Sequence, residues 1–382
     1  MQPFELIQIS NHSPRRRGTF ECYTRALAEA VRDVGGTSNL IYFAEPDKWF
    51  ADWMAEAGAV CHGLPYRLTE PEKPWRIAIA VRRLCPPRGR TLVHVQFPIL
   101  NGICPALRAM GFRNIVLSDQ LSGACRDLPL GLRRIKNLAN RLQVSGASAI
   151  TALSAHIMER QLAAGIPAGR TRVLHIGCDL REYVPPTAVR RQELRREHGF
   201  GEDNVIVCFT GRLMKEKGVD VLLRAAAVLR QSVGEMRVLV VGHGSEEDAL
   251  RRMVTELGID GLVRFAGHVP SVVPYLQLSD VFVCPSVWEE GFGYVNIEAM
   301  AVGLPVVASR AGGITDIVSE GETGFLVPPG DERALAERML QLCTDPVVRQ
   351  RMGQAGEKKV RTHFDLDATV EETMRIYEGI LS

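Results

Sequence analysis

Residues 205–218 have the sequence VIVCFTGRLMKEKG, and this stretch decides the fold class. It starts with a short apolar run, 205–210, whose β-branched residues predict a buried strand. Gly211 ends the run, and an amphipathic helical pattern over 218–231 begins at Gly218. A strand that leads through a glycine loop into a helix is the unit from which parallel α/β sheets are built.

The same alternation extends to both sides of this stretch. Downstream, strands are predicted at 237–241, 263–266, 281–284 and 305–309, with helices at 245–257 and 292–301. Upstream, strands are predicted at 4–10, 39–43, 91–95, 114–118, 147–152 and 172–176, with helices at 19–34, 74–84, 130–144 and 154–164. The pattern predicts two doubly wound α/β units, each with a parallel sheet covered on both faces.

A join between the two units is predicted near residues 179–195, where adjacent prolines and a charged stretch indicate a linker. The expected domains are therefore 1–180 and 181–362. The tail of the chain predicts three helices, at 334–342, 347–362 and 367–381. Ligands of open α/β sheets bind beyond the carboxyl ends of the strands, so we expect two such domains to face a central cleft that accepts two substrates.

Composition argues against several classes of protein. The 382 residues include 46 Lys and Arg against 44 Asp and Glu, and a net charge of +2 argues against a general nucleic-acid binder. Nine cysteines without a CxxC pair indicate buried free thiols, not a disulfide frame or a zinc site. No apolar run reaches about 18 residues and no signal peptide is evident, so we expect a cytoplasmic protein.

The loop after the 205–210 strand carries two cations that suit a diphosphate. Arg212 offers a fork of hydrogen-bond donors and Lys217 a compact charge, while the helix that starts near Gly218 adds the positive end of its dipole. The spacing does not fit a Walker A loop. The alternative is a solvated basic loop without a ligand.

A second loop, after the 281–284 strand, combines glycines with two carboxylates. Gly291 and Gly293 allow backbone amides to approach a ligand closely, and Glu290 lies in the same loop. Glu298 follows on the next helix, where a carboxylate can accept hydrogen bonds from ribose hydroxyls. The alternative is that both glutamates are exposed surface charges, although the apolar sequence around them argues against full exposure.

These two loops resemble the nucleotide-sugar-dependent glycosyltransferases of family four, which have the GT-B fold. The resemblance rests on GRLMKEKG at 211–218, the E-x7-E spacing of Glu290 and Glu298, VVGHG at 240–244 and FAGHVP at 265–270. The segments AGGI at 311–314 and GETGFLV at 321–327 also match, although Asp316 stands where the family usually has Glu. The match is dense from about Val205 to Pro329.

The resemblance implies a retaining transferase that needs no metal and no other cofactor. Arg212 and Lys217 would bind the donor diphosphate, Glu298 the ribose and Glu290 the transferred sugar. UDP is favoured as the nucleotide because it is the commonest among relatives, and the last helix, within 363–382, would cross back to the first domain. The donor site implied in this way comprises Gly18, Gly211, Arg212, Lys217, Gly242, His268, Val269, Glu290, Gly291, Phe292, Gly293, Tyr294, Val295 and Glu298.

The N-terminal half matches the family less closely. Where relatives have a glycine-rich loop, only Gly18 remains, preceded by three arginines. Arg16 and Arg17 are candidates for binding an anionic acceptor; the alternative is a mobile basic loop. His94 and Gln96, at the end of a predicted strand, are further acceptor candidates, although His94 could equally be a hydrogen-bonded core residue.

A departure from the family lies in residues 114–123, NIVLSDQLSG. In many relatives a histidine here approaches the donor sugar, and this segment has none. Gln120 is the best-aligned substitute, and its amide can orient a sugar hydroxyl but cannot titrate near neutral pH. Asp119 could instead face the acceptor and serve as a base.

The helix predicted around 132–142 places Leu132, Ile135, Leu138 and Leu142 on one face, among basic residues. In some relatives a helix here touches a membrane or a lipid-linked acceptor, so peripheral membrane contact is one hypothesis. The interpretation we favour is an apolar stripe that faces the core.

Three functions remain open at this point. The first is a retaining glycosyltransferase that uses a nucleotide sugar and an unidentified acceptor. The second is an epimerase or phosphorylase of the same fold, and the third is an inactive nucleotide-sugar-binding protein. Dependence on a second substrate distinguishes the first from the others.

Overall fold

The computed structural model describes residues 1–11, 17–64, 74–96, 102–119 and 130–382, the side chains of 119 and 130–135 excepted. The chain divides into two compact units. Unit 1 comprises Met1–Ile176 together with Leu366–Ser382, and unit 2 comprises Gly177–Asp365. Unit 2 is thus inserted into the chain of unit 1, and its ends meet, because the backbone N–H of Cys178 donates to the carbonyl of Phe364 at 2.9 Å.

Unit 1 is built on one parallel sheet. Its strands are β1 (Glu5–Ser10), β2 (Thr37–Tyr42), β3 (Ala59–Gly63), β4 (Thr91–Gln96), β5 (Asn114–Asp119), β6 (Ala149–Ala152) and β7 (Thr171–Val173). Its first six helices are α1 (Thr19–Asp33), α2 (Lys48–Glu56), α3 (Pro74–Leu84), α4 (Ile103–Ala109), α5 (Leu130–Gln143) and α6 (Ala155–Ala163). The strand order is β3-β2-β1-β4-β5-β6-β7, with every pair parallel.

Unit 2 is built on a second parallel sheet. Its strands are β8 (Val205–Thr210), β9 (Met236–Val241), β10 (Val263–Gly267), β11 (Val281–Cys284), β12 (Val306–Ser309) and β13 (Gly324–Val327), in the order β10-β9-β8-β11-β12-β13. Its helices are α7 (Ala188–Glu197), α8 (Val219–Leu229), α9 (Glu247–Glu256), α10 (Val273–Gln277), α11 (Tyr294–Ala301), α12 (Ile314–Ile317), α13 (Glu332–Thr344) and α14 (Pro346–His363).

The order of the unit 2 strands has a functional consequence. The chain moves outward from β8 to β10 and then returns to the other side of β8, so the direction reverses between β8 and β11. In doubly wound sheets, ligands bind outside the carboxyl ends of the strands at such a reversal. The loops that follow β8 and β11 carry the predicted donor residues Arg212, Lys217 and Glu290.

The last helix, α15 (Leu366–Leu381), completes unit 1 and packs against α1. The hydroxyls of Tyr23 and Thr373 are hydrogen-bonded at 3.0 Å across this contact. Thr369 adds a bond of 3.1 Å to the carbonyl of His175. The helix is therefore held by polar pairs as well as by its buried apolar residues.

The core of each unit lies between its sheet and the helices on both faces. All six residues of β4 and all four of β11 are buried, as expected for central strands of a parallel sheet. The prediction of two doubly wound parallel α/β units is confirmed.

The linker predicted at 179–195 is wrong in its second part, because helix α7 begins at Ala188. The side chain of Thr187 caps this helix by accepting the N–H of Arg190 at 3.2 Å. Arg191 and Arg195 then reach the carboxylate of Asp280 at 2.7 and 2.6 Å. Burial lowers the pKa of Arg191, and Asp280 opposes that effect. The charged stretch therefore forms a helix that ion pairs to Asp280 hold in place. Because Asp280 lies far away in sequence, the local pattern indicated a linker instead.

The core-facing stripe predicted on the 132–142 helix is also wrong for its last two leucines. Leu138 and Leu142 of α5 are each 61% exposed. Lys136 and Arg141 are exposed beside them. The apolar period predicted a helix correctly, but the face bearing these two leucines is not covered by the core.

Candidate active site

Three loops of unit 2 meet backbone to backbone at the carboxyl ends of their strands. The N–H of Gly211, after β8, donates to Val241 at 3.0 Å, and the N–H of Gly242, after β9, donates to Gly267 at 2.8 Å. Gly242 has φ +135°, and a Cβ there would overlap the carbonyl oxygen of Gly211. Only glycine permits this approach, which explains the glycines of the motif.

The basic loop continues from Gly211 to helix α8. Arg212 is exposed, and its side chain makes no hydrogen bond or ion pair with another described residue. Lys217 ends a short 3₁₀ turn, Lys215–Lys217, and Gly218 follows with φ +65°. A Cβ at Gly218 would overlap the carbonyl oxygen of Pro285, so the glycine allows the basic loop to lie against the loop after β11.

The two loops bring the predicted cation and carboxylate into direct contact. Lys217 Nζ lies 2.6 Å from Glu290 Oε1, and the two side chains are 26% and 16% exposed. The same Oε1 accepts a hydrogen bond of 2.6 Å from the hydroxyl of Ser286. The backbones are joined as well, since Val287 N–H donates to the carbonyl of Glu216 at 2.9 Å. The pair is therefore fixed on both sides.

The backbone of Glu290 is held from a third direction. The N–H of Gly313 donates to the carbonyl of Glu290 at 2.8 Å, next to a parallel bridge between Glu290 and Gly312. The AGGI segment at 311–314 thus supports the loop that carries Glu290. The structure thus shows what the segment contacts, whereas the sequence showed only its resemblance to the family.

Glu298 lies on α11, whose first residue is preceded by Gly293 with φ +96°. Its side chain is only 1% exposed, so the alternative of an exposed surface charge is wrong for this residue. Burial, with a further contribution from the charge of Glu298, raises the pKa of the Cys178 thiol. Gly291 and Phe292 are buried, and Tyr294 and Val295 are partly exposed.

A pair of histidines stands after β9 and β10. The rings of His243 and His268 are 6.2 Å apart and nearly perpendicular, and both residues are exposed. Val269 beside them is buried. His243 and Ser286 also lie at this site, and neither was predicted from the sequence as a site residue. His243 lay within the quoted VVGHG segment, and Ser286 preceded Glu290 by four residues.

The acceptor candidates in the first loop of unit 1 are partly outside the described residues, which exclude Arg16. Arg17 is exposed, and its guanidinium lies 5.0 Å from the ring centre of Trp53. Gly18 is buried and precedes α1, and its N–H donates to Glu21 Oε2 at 3.2 Å. Each of these two described residues of the loop thus has a contact with a residue of a unit 1 helix.

His94 and Gln96 lie in the interior of unit 1. Nδ1 of His94 is 2.6 Å from the Tyr377 hydroxyl and Nε2 is 2.5 Å from Ser118 Oγ. Burial lowers the pKa of His94 to about 3, so the ring is neutral near pH 7. Gln96 donates to Gln8 Oε1 at 3.0 Å. Both ring nitrogens of His94 are occupied, which supports the alternative of a hydrogen-bonded core residue.

The substitute for the family histidine cannot be placed. Asp119 ends β5, with its Cα paired to Ala152, but its side chain is outside the described part of the structure. Gln120 is outside it altogether. Over the described residues, no group of three or more His, Cys, Asp or Glu side chains is arranged to hold a metal ion. None of the described helices is both long and apolar enough to cross a membrane.

Comparison with known proteins gives one family and many relatives. The family model described as "Glycosyl transferases group 1" matches residues 190–359. A GDP-mannose-dependent alpha-(1-6)-phosphatidylinositol monomannoside mannosyltransferase of Mycolicibacterium smegmatis is 30% identical over 380 residues, which covers 95% of this chain and 94% of that enzyme. A D-inositol 3-phosphate glycosyltransferase of Corynebacterium glutamicum is 34% identical over 221 residues, 56% of this chain and 52% of that enzyme.

The fold also matches solved structures. The HepE protein of Anabaena, solved in complex with UDP, superposes with a TM-score of 0.78 at 20% identity, covering 98% of this chain and 100% of that chain. Some relatives match over the whole length and others, such as the Corynebacterium enzyme, over little more than half of theirs.

Proposed function

Because this chain belongs to the glycosyl transferases group 1 family and is a glycosyltransferase with the GT-B fold, we propose that unit 2 holds the nucleotide-sugar donor. The observation that carries the proposal is the contact between Lys217 and Glu290 at 2.6 Å, fixed between two loops at the switch point of the sheet. Arg212 stands exposed in the first of these loops, where its charge is available to a ligand.

The proposed chemistry is transfer of the sugar with retention of its anomeric configuration. As the bond from the sugar to the diphosphate breaks, negative charge grows on the leaving diphosphate. Arg212 and Lys217 would counter that charge, which is the contribution a metal ion makes in other transferases. Glu290 would hold hydroxyls of the transferred sugar, and Glu298 those of the ribose. We therefore propose that the reaction needs no metal and no other cofactor.

The nucleotide is proposed as UDP, with GDP as the competing choice. The Anabaena structure with the matching fold contains UDP, whereas the full-length mannosyltransferase relative is named for GDP-mannose. His243 and His268, beyond β9 and β10, are the side chains we place near the base. Isothermal calorimetry with UDP and with GDP decides between the two nucleotides.

The acceptor is proposed to bind unit 1 at the loop containing Arg16 and Arg17 and at Asp119, which ends β5 and is followed in the sequence by Gln120. His94 and Gln96 would contribute indirectly, by holding the strands beneath. The acceptor itself is unidentified.

Peripheral membrane contact is proposed for α5. Leu138 and Leu142 are both 61% exposed, beside the exposed cations Lys136 and Arg141. An apolar face flanked by cations is suited to an anionic bilayer surface. The mannosyltransferase relative is named for phosphatidylinositol monomannoside, a lipid, which agrees with this proposal. The described cysteines are all free, which supports a cytoplasmic location.

The test of the proposed function is a donor and acceptor screen. The protein is incubated with UDP-glucose or GDP-mannose, with and without phosphatidylinositol vesicles, and release of nucleotide and of glycosylated product is measured. We expect product only in the presence of an acceptor, no loss of activity in EDTA, and a retained anomeric configuration by proton NMR. Acceptor-independent conversion of the sugar would instead support an epimerase. Nucleotide binding without turnover on any acceptor would support an inactive binding protein.

A further inference from the structure

Ser286 is a buried hydroxyl between the two sides of the candidate active site. It follows β11 by two residues and is 0% exposed. Its hydroxyl donates a hydrogen bond of 2.6 Å to Oε1 of Glu290, which lies four residues further along the chain. A hydrogen bond from a buried donor to a carboxylate is among the stronger hydrogen bonds in proteins.

Two donors converge on one oxygen of Glu290 and leave the other open. Lys217 Nζ and Ser286 Oγ both lie 2.6 Å from Oε1. No described residue donates a hydrogen bond to Oε2, and the Glu290 side chain is 16% exposed. The carboxylate is therefore anchored by Oε1, and Oε2 remains free to accept hydrogen bonds from a ligand.

The environment of Ser286 determines which way its proton points. Cys284 Sγ lies 3.9 Å from Ser286 Oγ. Burial, and to a lesser extent the charge of Glu290, raises the pKa of Cys284 to about 11, so the thiol keeps its proton near pH 7. A thiol can donate weakly to the serine oxygen. The hydroxyl's own hydrogen is then directed to Glu290.

The backbone around Ser286 keeps this arrangement in place. Pro285, the preceding residue, has its carbonyl against Gly218, and Val287, the following one, donates to the carbonyl of Glu216. Ser286 is thus fixed between two contacts to the basic loop that carries Lys217. The anchored backbone therefore holds the hydroxyl within hydrogen-bond distance of Glu290 Oε1.

We propose that Ser286 is a positioning residue, which fixes the Glu290 carboxylate so that Oε2 accepts hydrogen bonds from the hydroxyls of the transferred sugar. This inference rests on the proposed function, in which Glu290 faces the sugar. It assigns the hydroxyl of Ser286 a part in turnover rather than in nucleotide binding, because the proposed function places the transferred sugar, and not the nucleotide, against Glu290.

The test is a double-mutant cycle with Ser286→Ala, Glu290→Ala and the double variant. UDP-glucose and GDP-mannose serve as donors, phosphatidylinositol vesicles serve as the acceptor, and nucleotide release is measured. Ser286→Ala should lower kcat about tenfold or more, as expected for loss of a hydrogen bond to a charged group. The affinity for UDP or GDP alone, measured by calorimetry, should stay within about twofold. In the Glu290→Ala background, which lacks the acceptor oxygen, Ser286→Ala should cause little further loss.

Ser279 provides the matched control. It is equally buried in unit 2, and its hydroxyl donates to the carbonyl of Tyr275 at 2.6 Å. Ser279→Ala should leave kcat unchanged. Equal losses from Ser286→Ala in both backgrounds, or an equal loss of affinity for the nucleotide alone, would overturn the positioning role.

A crystal structure of the Ser286→Ala variant separates this inference from the proposed function. We expect the Glu290 carboxylate to leave its position beside Lys217 or to occupy several rotamers. A carboxylate that stays in place refutes the positioning role, whatever the substrate is. If the wild-type protein converts no sugar nucleotide, the proposed function fails, and the crystal structure still decides whether Ser286 positions Glu290.

Discussion

The hydroxyl of Tyr377 lies 2.6 Å from Nδ1 of His94, although 283 residues separate them in the chain. His94 is in the central strand β4 and Tyr377 is in the last helix, α15. The ring of His94 continues the connection to Ser118 on β5, whose hydroxyl is 2.6 Å from Thr151 on β6. One chain of buried hydrogen bonds therefore links the C-terminal helix to three strands of unit 1.

Tyr377→Phe should destabilise unit 1. The change keeps the ring but leaves Nδ1 of a buried histidine without its partner, at a cost of about 1–3 kcal/mol in the free energy of unfolding. Urea unfolding monitored by circular dichroism measures this loss. Tyr275→Phe is the control, since the Tyr275 hydroxyl makes no hydrogen bond with a described residue, and it should change the unfolding free energy by less than about 0.5 kcal/mol.

The stability of the protein should fall in mild acid because of His94. Its pKa is lowered by burial to about 3 in the folded protein, against about 6.5 in the unfolded chain. Between these values the unfolded chain binds the additional proton, so the free energy of unfolding decreases as pH falls through this range. The glutamine of the His94→Gln variant does not titrate. The free energy of unfolding of this variant should therefore depend less steeply on pH, by up to about 1.4 kcal/mol per pH unit. Equal slopes in urea titrations of both proteins would contradict this.

Arg212→Ala and Lys217→Ala should each lower kcat by about a hundredfold or more, because each removes a charge that stabilises the leaving diphosphate. Both side chains are at least partly exposed, so the fold should persist. Initial rates with saturating donor measure the effect. Arg252→Ala, an exposed arginine on α9, is the control and should retain full activity. Wild-type turnover in both loop variants would refute the diphosphate site.

Glu298→Ala should mainly weaken donor binding, whereas Glu290→Ala should mainly lower kcat. Hydrogen bonds from ribose hydroxyls to a carboxylate are worth about 1.5–3 kcal/mol, which corresponds to roughly a tenfold to hundredfold loss of affinity. Calorimetry with UDP and GDP gives the affinity. Glu256→Ala, at the exposed end of α9, is the control. Unchanged nucleotide binding in Glu298→Ala would remove this residue from the site.

Asp280→Ala should be strongly destabilising. Its carboxylate binds Arg191 and Arg195 and also accepts the backbone N–H of Ile206 at the start of β8. Removing it leaves the buried Arg195 and the partly exposed Arg191 without their counter-charge, a loss of about 3–5 kcal/mol. Thermal unfolding measures it. Asp203→Ala, a change at an exposed carboxylate nearby, should have little effect.

The strands that the sequence predicted are those with continuous apolar runs. Val205–Thr210 and Val281–Cys284 have the predicted bounds because both faces of these strands are buried. Strands β3, Ala59–Gly63, and β13, Gly324–Val327, were not predicted. Strand β3 is half-exposed and contains neither a long apolar run nor clear alternation, and β13 is short and begins with a glycine. Helix α7 was not predicted because it has little apolar surface and is held by ion pairs to Asp280.

The candidate site was predictable in its residue types and not in its internal contacts. The two motifs placed Lys217 and Glu290 after separate strands, but the two residues are 73 positions apart and their pairing depends on the loop conformations. Ser286 was not predicted as a site residue because a single serine forms no recognisable sequence pattern. Leu138 and Leu142 belong to a clear sequence pattern, but helical periodicity predicts only that a face is apolar. It does not predict whether the core covers that face.

The insertion of unit 2 into unit 1 sets the order in which a ribosome can complete the two. Every residue of unit 2 has been synthesised once Asp365 is added, and its two ends already meet at Cys178 and Phe364. Unit 1 began to emerge first, yet it must wait for the last residues of the chain, which supply the partners of Tyr23 and His94. The unit whose synthesis starts second is thus the unit that can finish folding first.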